Sequence, residues 1–166
     1  MSEPTSNLVA LADAIVAALT AAQAQPAINP FAEPFTAVRR FAPLADLSEL
    51  KDSDPPLVYI LPLADDEQRQ GKAAPAFRGD YEVACIIYAR VGPAGSDAAE
   101  TRVAELMTLR QQIRDLFKNG RLTVAGTTDT LAVLTGIGGN PAYAENMLIE
   151  NHCFGSAQSL RFTLMV

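Results

Sequence analysis

Residues 80–91 read DYEVACIIYARV. Tyr81, Val83, Cys85, Ile87 and Ala89 alternate with Glu82, Ala84, Ile86, Tyr88 and Arg90, the period of two that sends successive side chains to opposite faces of a pleated strand. Most of both sets is apolar, so the stretch predicts a long strand inside a sheet, with both faces largely covered. Upstream, Pro55-Pro56 introduces the apolar run Leu57–Leu61, closed by Pro62, which reads as a second strand buried on both faces. Pairing of the two predicts a hairpin. Between Pro62 and Gly79 the chain carries Asp65, Asp66, Glu67, Gln68, Arg69, Gln70, Gly71 and Lys72, too polar a series for a core. This segment is expected to form the hairpin tip, a docking arm on a rigid sheet.

Downstream, Gly92–Gly95 forms a turn, and Asp97 and Glu100 are spaced as a capping box at the start of a helix running to Asn119-Gly120. Leu106, Leu109, Ile113, Leu116 and Phe117 share its apolar face, and Arg110, Arg114, Asp115 and Lys118 are expected mostly outside. Gly120 suits the left-handed position that ends such a helix. The N-terminal segment 1–24 is predicted to hold a first helix over 6–24, capped at Ser6 or Asn7, with Leu8, Leu11, Ile15, Ala18, Leu19 and Ala22 on one stripe. The three prolines within 25–34 make an extended connector. Phe35–Ala42, which includes Arg39 and Arg40, reads as an edge strand, and Asp46–Leu50 as a helical turn. Leu131–Ile137, Asn146–Cys153 and Ser159–Val166 are the remaining strand candidates. The expected architecture is one domain over 1–166, of α+β class. Residues 35–166 supply a mixed, mainly antiparallel sheet of about four to six strands, packed with two main helices, the second at 97–119.

Composition restricts what such a domain does. Thirteen basic residues face nineteen acidic ones, for a net charge of −6. Sequence-specific DNA binding needs the reverse balance, gathered into a basic stripe. Trp is absent and aromatics are 7%, which argues against a base-stacking platform. The apolar stretch Leu8–Ala22 is interrupted by Asp13 and preceded by Glu3, so it reads neither as a signal peptide nor as a membrane span. Cys85 and Cys153, far apart in apolar surroundings, are expected to be buried free thiols made in a reducing cytosol.

No residue set carries an evident reaction. Gly136, Gly138 and Gly139 look superficially like a phosphate loop, but Asn140-Pro141 follows in place of a Lys-Ser pair and a helix. His152, Cys153 and Cys85 supply three zinc donors where structural sites use four, and adjacent residues of a strand point apart. Asp65, Asp66 and Glu67 lack the spacing of a calcium loop. The expectation is therefore no enzyme, no cofactor and no metal, with function carried by surfaces. The candidate interface residues are Arg39, Arg40, Asp65, Asp66, Glu67 and Arg69.

The segments Phe35–Phe41, Pro56–Pro62, Arg78–Val91, Thr101–Phe117 and Ser159–Val166, in that order after a first helix, resemble the tail-terminator family of tailed phages. The resemblance is one of layout, and related neck proteins that complete tails or close heads share it. It implies a homo-oligomeric ring, typically a hexamer, that caps the tail tube and meets the head-completion or connector protein. It also implies a place in the virion neck after assembly in the host cytoplasm, with DNA passing through an acidic lumen that does not grip it. A cytosolic protein-binding module and an enzyme completed by a partner subunit are the competing classes.

Overall fold

In the computed structural model, which describes residues 6–69, 77–118, 122–124 and 130–165, the chain is an α+β protein built on one six-stranded sheet. Its strands are β1 (Thr36–Arg39), β2 (Leu57–Arg69), β3 (Phe77–Arg90), β4 (Leu122–Val124), β5 (Thr130–Gly138) and β6 (Cys153–Met165), in the spatial order β1-β2-β3-β6-β5-β4. Only β1 and β2 run parallel; every other neighbouring pair is antiparallel. All of the 80–91 stretch except Val91 lies in β3, at the sheet centre, between β2 and β6.

Its two faces bury different things. Val83, Cys85, Ile87 and Ala89 join Val58, Ile60, Phe154, Leu160 and Phe162 beneath helices α1 (Asn7–Gln23) and α2 (Asp97–Lys118). Leu11, Ile15 and Leu19 of α1 and Leu106, Leu109 and Ile113 of α2 complete this main core, all at most 1% exposed. On the opposite face, Tyr59, Leu61, Ala84, Ile86 and Tyr88 are covered by the β1–β2 connection, which packs Leu44, Leu47 and Leu50 onto them. That connection holds the expected helical turn, a 3-10 turn over Leu47–Glu49 capped by Asp46, whose carboxylate accepts from Ser48 N at 2.9 Å. Ser6 caps α1 by accepting from Val9 N at 3.3 Å.

Four expectations need correction. Ser96, not Asp97, caps α2: its Oγ accepts from Ala99 N at 3.2 Å, because the turn ends one residue earlier than the Asp97/Glu100 spacing suggests. Second, β2 does not stop at Pro62. The register shifts between Pro62 and Ala64, where Leu63 makes a bulge, and the ladder resumes to Arg69. A proline with no amide hydrogen is tolerated at such a bulge, and β3 supplies backbone partners to the polar residues beyond it.

The third correction concerns Asn146–Cys153, most of which is a short helix, α3 (Glu145–Asn151), and not a strand. Met147 and Leu148 pack on the sheet while Ile149 is 58% exposed, a helical division of one short apolar run. His152 then takes a left-handed conformation, φ 55°, and turns the chain straight into β6, which starts at Cys153 and is longer than the Ser159–Val166 segment. The fourth is Arg110. It is buried at 6% exposure and does not face outward. The expected helix terminus at Gly120 lies outside the described residues.

Candidate functional site

Past the bulge, β2 and β3 form an arm whose side chains on β2 are exposed from Leu63 to Glu67. The candidate carboxylates therefore sit on a paired strand and not in a loop. Asp65 pairs with Tyr81 in register, Asp66 with Asp80, and Glu67 with Gly79. Alternation sends Asp65 and Glu67 to the face of the main core, and Asp66 to the other. The backbone of Arg69 ends β2, and its side chain lies outside the described residues, as does the tip at 70–76.

Glu67 belongs to a knot that ties the arm to α1. The Tyr81 hydroxyl donates to Glu67 Oε1, and Asn7 Nδ2 donates to Glu67 Oε1 at 3.2 Å and to Tyr81 Oη at 3.3 Å. These bonds hold the Glu67 carboxyl below its ordinary value of 4.5, with the Tyr81 bond contributing most. Burial, reinforced by Glu67, pushes the Tyr81 phenol up to about 12. For a phenol raised in the folded state, the unfolded chain ionises first. Stability from Tyr81 is thus complete below pH 10 and is lost as pH climbs from 10 towards about 12. For Glu67 the sign is opposite: its contribution is present above 4.5 and lost as pH falls through its lower native value. Absorbance titration of phenolate is expected to show tyrosine ionising late, and Tyr81→Phe should remove one such group; an unchanged titration curve in that variant would contradict the knot.

Arg39 and Arg40 lie at the sheet edge as expected, at the end of β1 and just past it. Arg39 Nε donates to Asp13 Oδ1 on α1 at 2.5 Å and its guanidinium stands 4.9 Å from the Phe41 ring centre. Arg40 lies on the other face, 5.7 Å from the Tyr59 ring centre. Arg39 is therefore already engaged within the subunit. Phe41, 70% exposed beside both, is an apolar knob that charge patterning did not single out.

Across the sheet, the face that carries Asp66 is uncovered beyond the β1–β2 connection. It forms an open groove of about 410 Å³ between β2, β3, β6 and β5. Asp80 accepts from Thr163 Oγ1 at 2.6 Å, and Glu82 meets Arg161 Nε at 3.5 Å. Val133, 47% exposed, and Leu131, 46% exposed, flank this polar strip on β5. The arm, the edge knob and the groove each combine charged groups with exposed apolar area.

Chemistry beyond binding is sparse. Among the described residues no three His, Cys, Asp or Glu side chains gather as metal ligands. Cys85 and Cys153 are both buried and free. Burial pushes the Cys85 thiol up to about 12, which leaves it a poor nucleophile at neutral pH. His152 is exposed at the end of α3 while Cys153 points into the core, so the pair does not converge. Gly136 and Gly138 are strand residues of β5, and the next helix, the short α3, begins only at Glu145, so no helix opens directly from the glycines to offer amides to a phosphate. The α2 side chains that sequence reasoning placed outside include the one buried cation among the described residues, Arg110.

No family profile matches the chain. No curated protein matches it either. Among solved structures, one chain bearing no functional name is 18% identical, covering 96% of this chain and 95% of the other, at a TM-score of 0.39. A likeness at that level carries no argument about fold or function.

Proposed function

We propose that this chain is a tail-terminator subunit of a tailed phage, assembling into a ring, a hexamer in the simplest case, that caps the tail tube and receives the head-completion or connector protein. The observation that supports this reading most is the β2–β3 arm. On its β2 side, Leu63 to Glu67 are paired and exposed, while on its β3 side Tyr81 enters the main core and, with Asn7 and Glu67, pins the arm to α1. A subunit needs a projection of this kind to reach a neighbour while its own fold stays closed. The sheet also ends in two different edges, β1 with Arg40 and Phe41 on one side and β4 with β5 on the other. Unlike edges favour head-to-tail contacts, which give a ring when the rotation between neighbours closes and an open filament when it does not. A net charge of −6 is consistent with a lumen that lets duplex DNA slide without holding it.

Negative-stain images of the purified protein should contain closed rings with a central opening; fields holding only isolated subunits at every concentration would oppose the proposal. Within that reading, Asp65→Ala combined with Asp66→Ala is expected to leave the subunit folded and to weaken assembly or tube joining by about tenfold, the scale of one lost charged contact. Glu67 is left intact in this variant because it secures Tyr81. Light scattering that gives the same assembly as the wild type would remove the arm's carboxylates from the interface.

A further inference from the structure

Arg110 leaves α2 towards the turn that follows β5 and ends against Gly139, with 6% of its surface exposed. Its Nε and Nη2 are buried and have no hydrogen-bond partner. These two atoms share one edge of the planar guanidinium, the edge whose parallel N–H groups match the two oxygens of a carboxylate. Arg114, one helical turn on, brings its own Nη2 to 3.3 Å from the point where a Cβ on Gly139 would stand, and Arg110 Nη2 is closer still. Arg114 Nε donates to Gln158 Oε1 at 2.6 Å, which leaves Gln158 Nε2 buried with only the Cys85 thiol beside it.

Two cations and a buried amide thus converge beside a glycine, and among the described residues the ionisable groups that act on Arg110 are Arg114 and the Cys85 thiol, not a carboxylate. Burial, and then the charge of Arg114, lowers the Arg110 pKa from its ordinary value. Folded proteins rarely leave a buried charge in this condition, because the desolvation penalty is offset only when a counter-charge or hydrogen bonds are present. Gly139, which lies against Arg110 Nη2, is itself exposed and carries no side chain; the Ala157 carbonyl oxygen lies 3.2 Å from the point where its Cβ would stand.

We propose that Arg110, Arg114 and Gln158 form a receptor for a single carboxylate, which enters past Gly139 and is held side-on by Arg110. The carboxylate comes either from a free small acid or from an Asp or Glu of a second copy of this chain. The site stands whether or not the chain forms a phage ring.

Two measurements on the intact protein distinguish the sources. Amide shifts are followed during titration with sodium acetate against sodium chloride at equal ionic strength, and self-association is followed by sedimentation for wild type, Arg110→Gln and Arg114→Gln. A saturable acetate-specific shift at Gly139 and Gln158, weakened about tenfold or more in Arg110→Gln, assigns the site to a free acid. Self-association weakened by the same factor in both variants, without an acetate shift, assigns it to a second copy. If Arg110→Gln does not fold, Arg114→Gln and Gly139→Ala decide, the latter because its Cβ would stand against Arg110 Nη2 and close the entrance. Acetate and chloride acting alike, together with unaltered self-association in the variants that fold, would overturn the proposal.

Discussion

Phe162→Ala is expected to destabilise the protein by about 3–5 kcal/mol, the range for removing a fully buried aromatic ring. Phe162 is 1% exposed on β6, with Tyr81 opposite it on β3 and Leu134 on β5. Its ring meets Phe117 of α2 edge to face, with centres 5.9 Å apart. The cavity would open where helix and sheet meet, bounded by paired strands on both sides that cannot collapse into it. Urea denaturation followed by circular dichroism should place the midpoint well below that of the wild type, with little change in slope. A loss under about 1 kcal/mol would mean that the interior between α2 and β6 is looser than described.

Gly79→Ala is expected to cost about 1–3 kcal/mol through a steric conflict and not through backbone strain. A Cβ at Gly79 would stand 2.5 Å from Tyr81 Oη, 2.6 Å from Cζ and closer still to Cε2. Tyr81 is 1% exposed and bonded to Glu67 and Asn7, so its ring cannot swing aside without breaking the knot between arm and helix. A double-mutant cycle isolates the effect: in a Tyr81→Ala background the same Gly79→Ala change should be nearly neutral. Equal costs in both backgrounds would place the conflict elsewhere.

Where local pattern and tertiary environment agreed, the fold was legible in the residues. The strict alternation from Tyr81 to Arg90 is a central strand, the apolar stripe from Leu106 to Phe117 is the buried face of α2, and Leu11, Ile15 and Leu19 seat α1 as their spacing implies. Short or mixed segments were not. Met147-Leu148-Ile149 suits a strand or a helical turn equally, and only the sheet beneath Met147 decides between them. The polar run after Pro62 has no hydrophobic period, yet it becomes strand because a neighbouring strand satisfies its backbone. Arg110 is charged at a position that the helical wheel already counted as flanking, and its burial follows from the glycine turn packed against it, a contact remote in sequence.

The same limit applied to function. The candidate residues Asp65, Asp66, Glu67 and Arg40 lie at exposed positions, and Glu67 and Arg39 are also bonded within the subunit to Tyr81 and Asp13. Their charge alone could not separate the two classes, because an exposed carboxylate and one that fastens an arm to a helix look identical in a string of letters. Phe41 was missed for a related reason: an apolar residue in a strand is expected to point inward, and this one follows the last paired residue of an edge strand.

On the proposed reading the subunit acts as one element of a closed assembly. Sedimentation velocity across a range of concentration and salt tests this most directly. The expected result is a discrete species of roughly six times the 17.7 kDa subunit mass, persisting on dilution and weakened by Asp65→Ala with Asp66→Ala. A single species at the subunit mass under every condition, for wild type and variant alike, would contradict it.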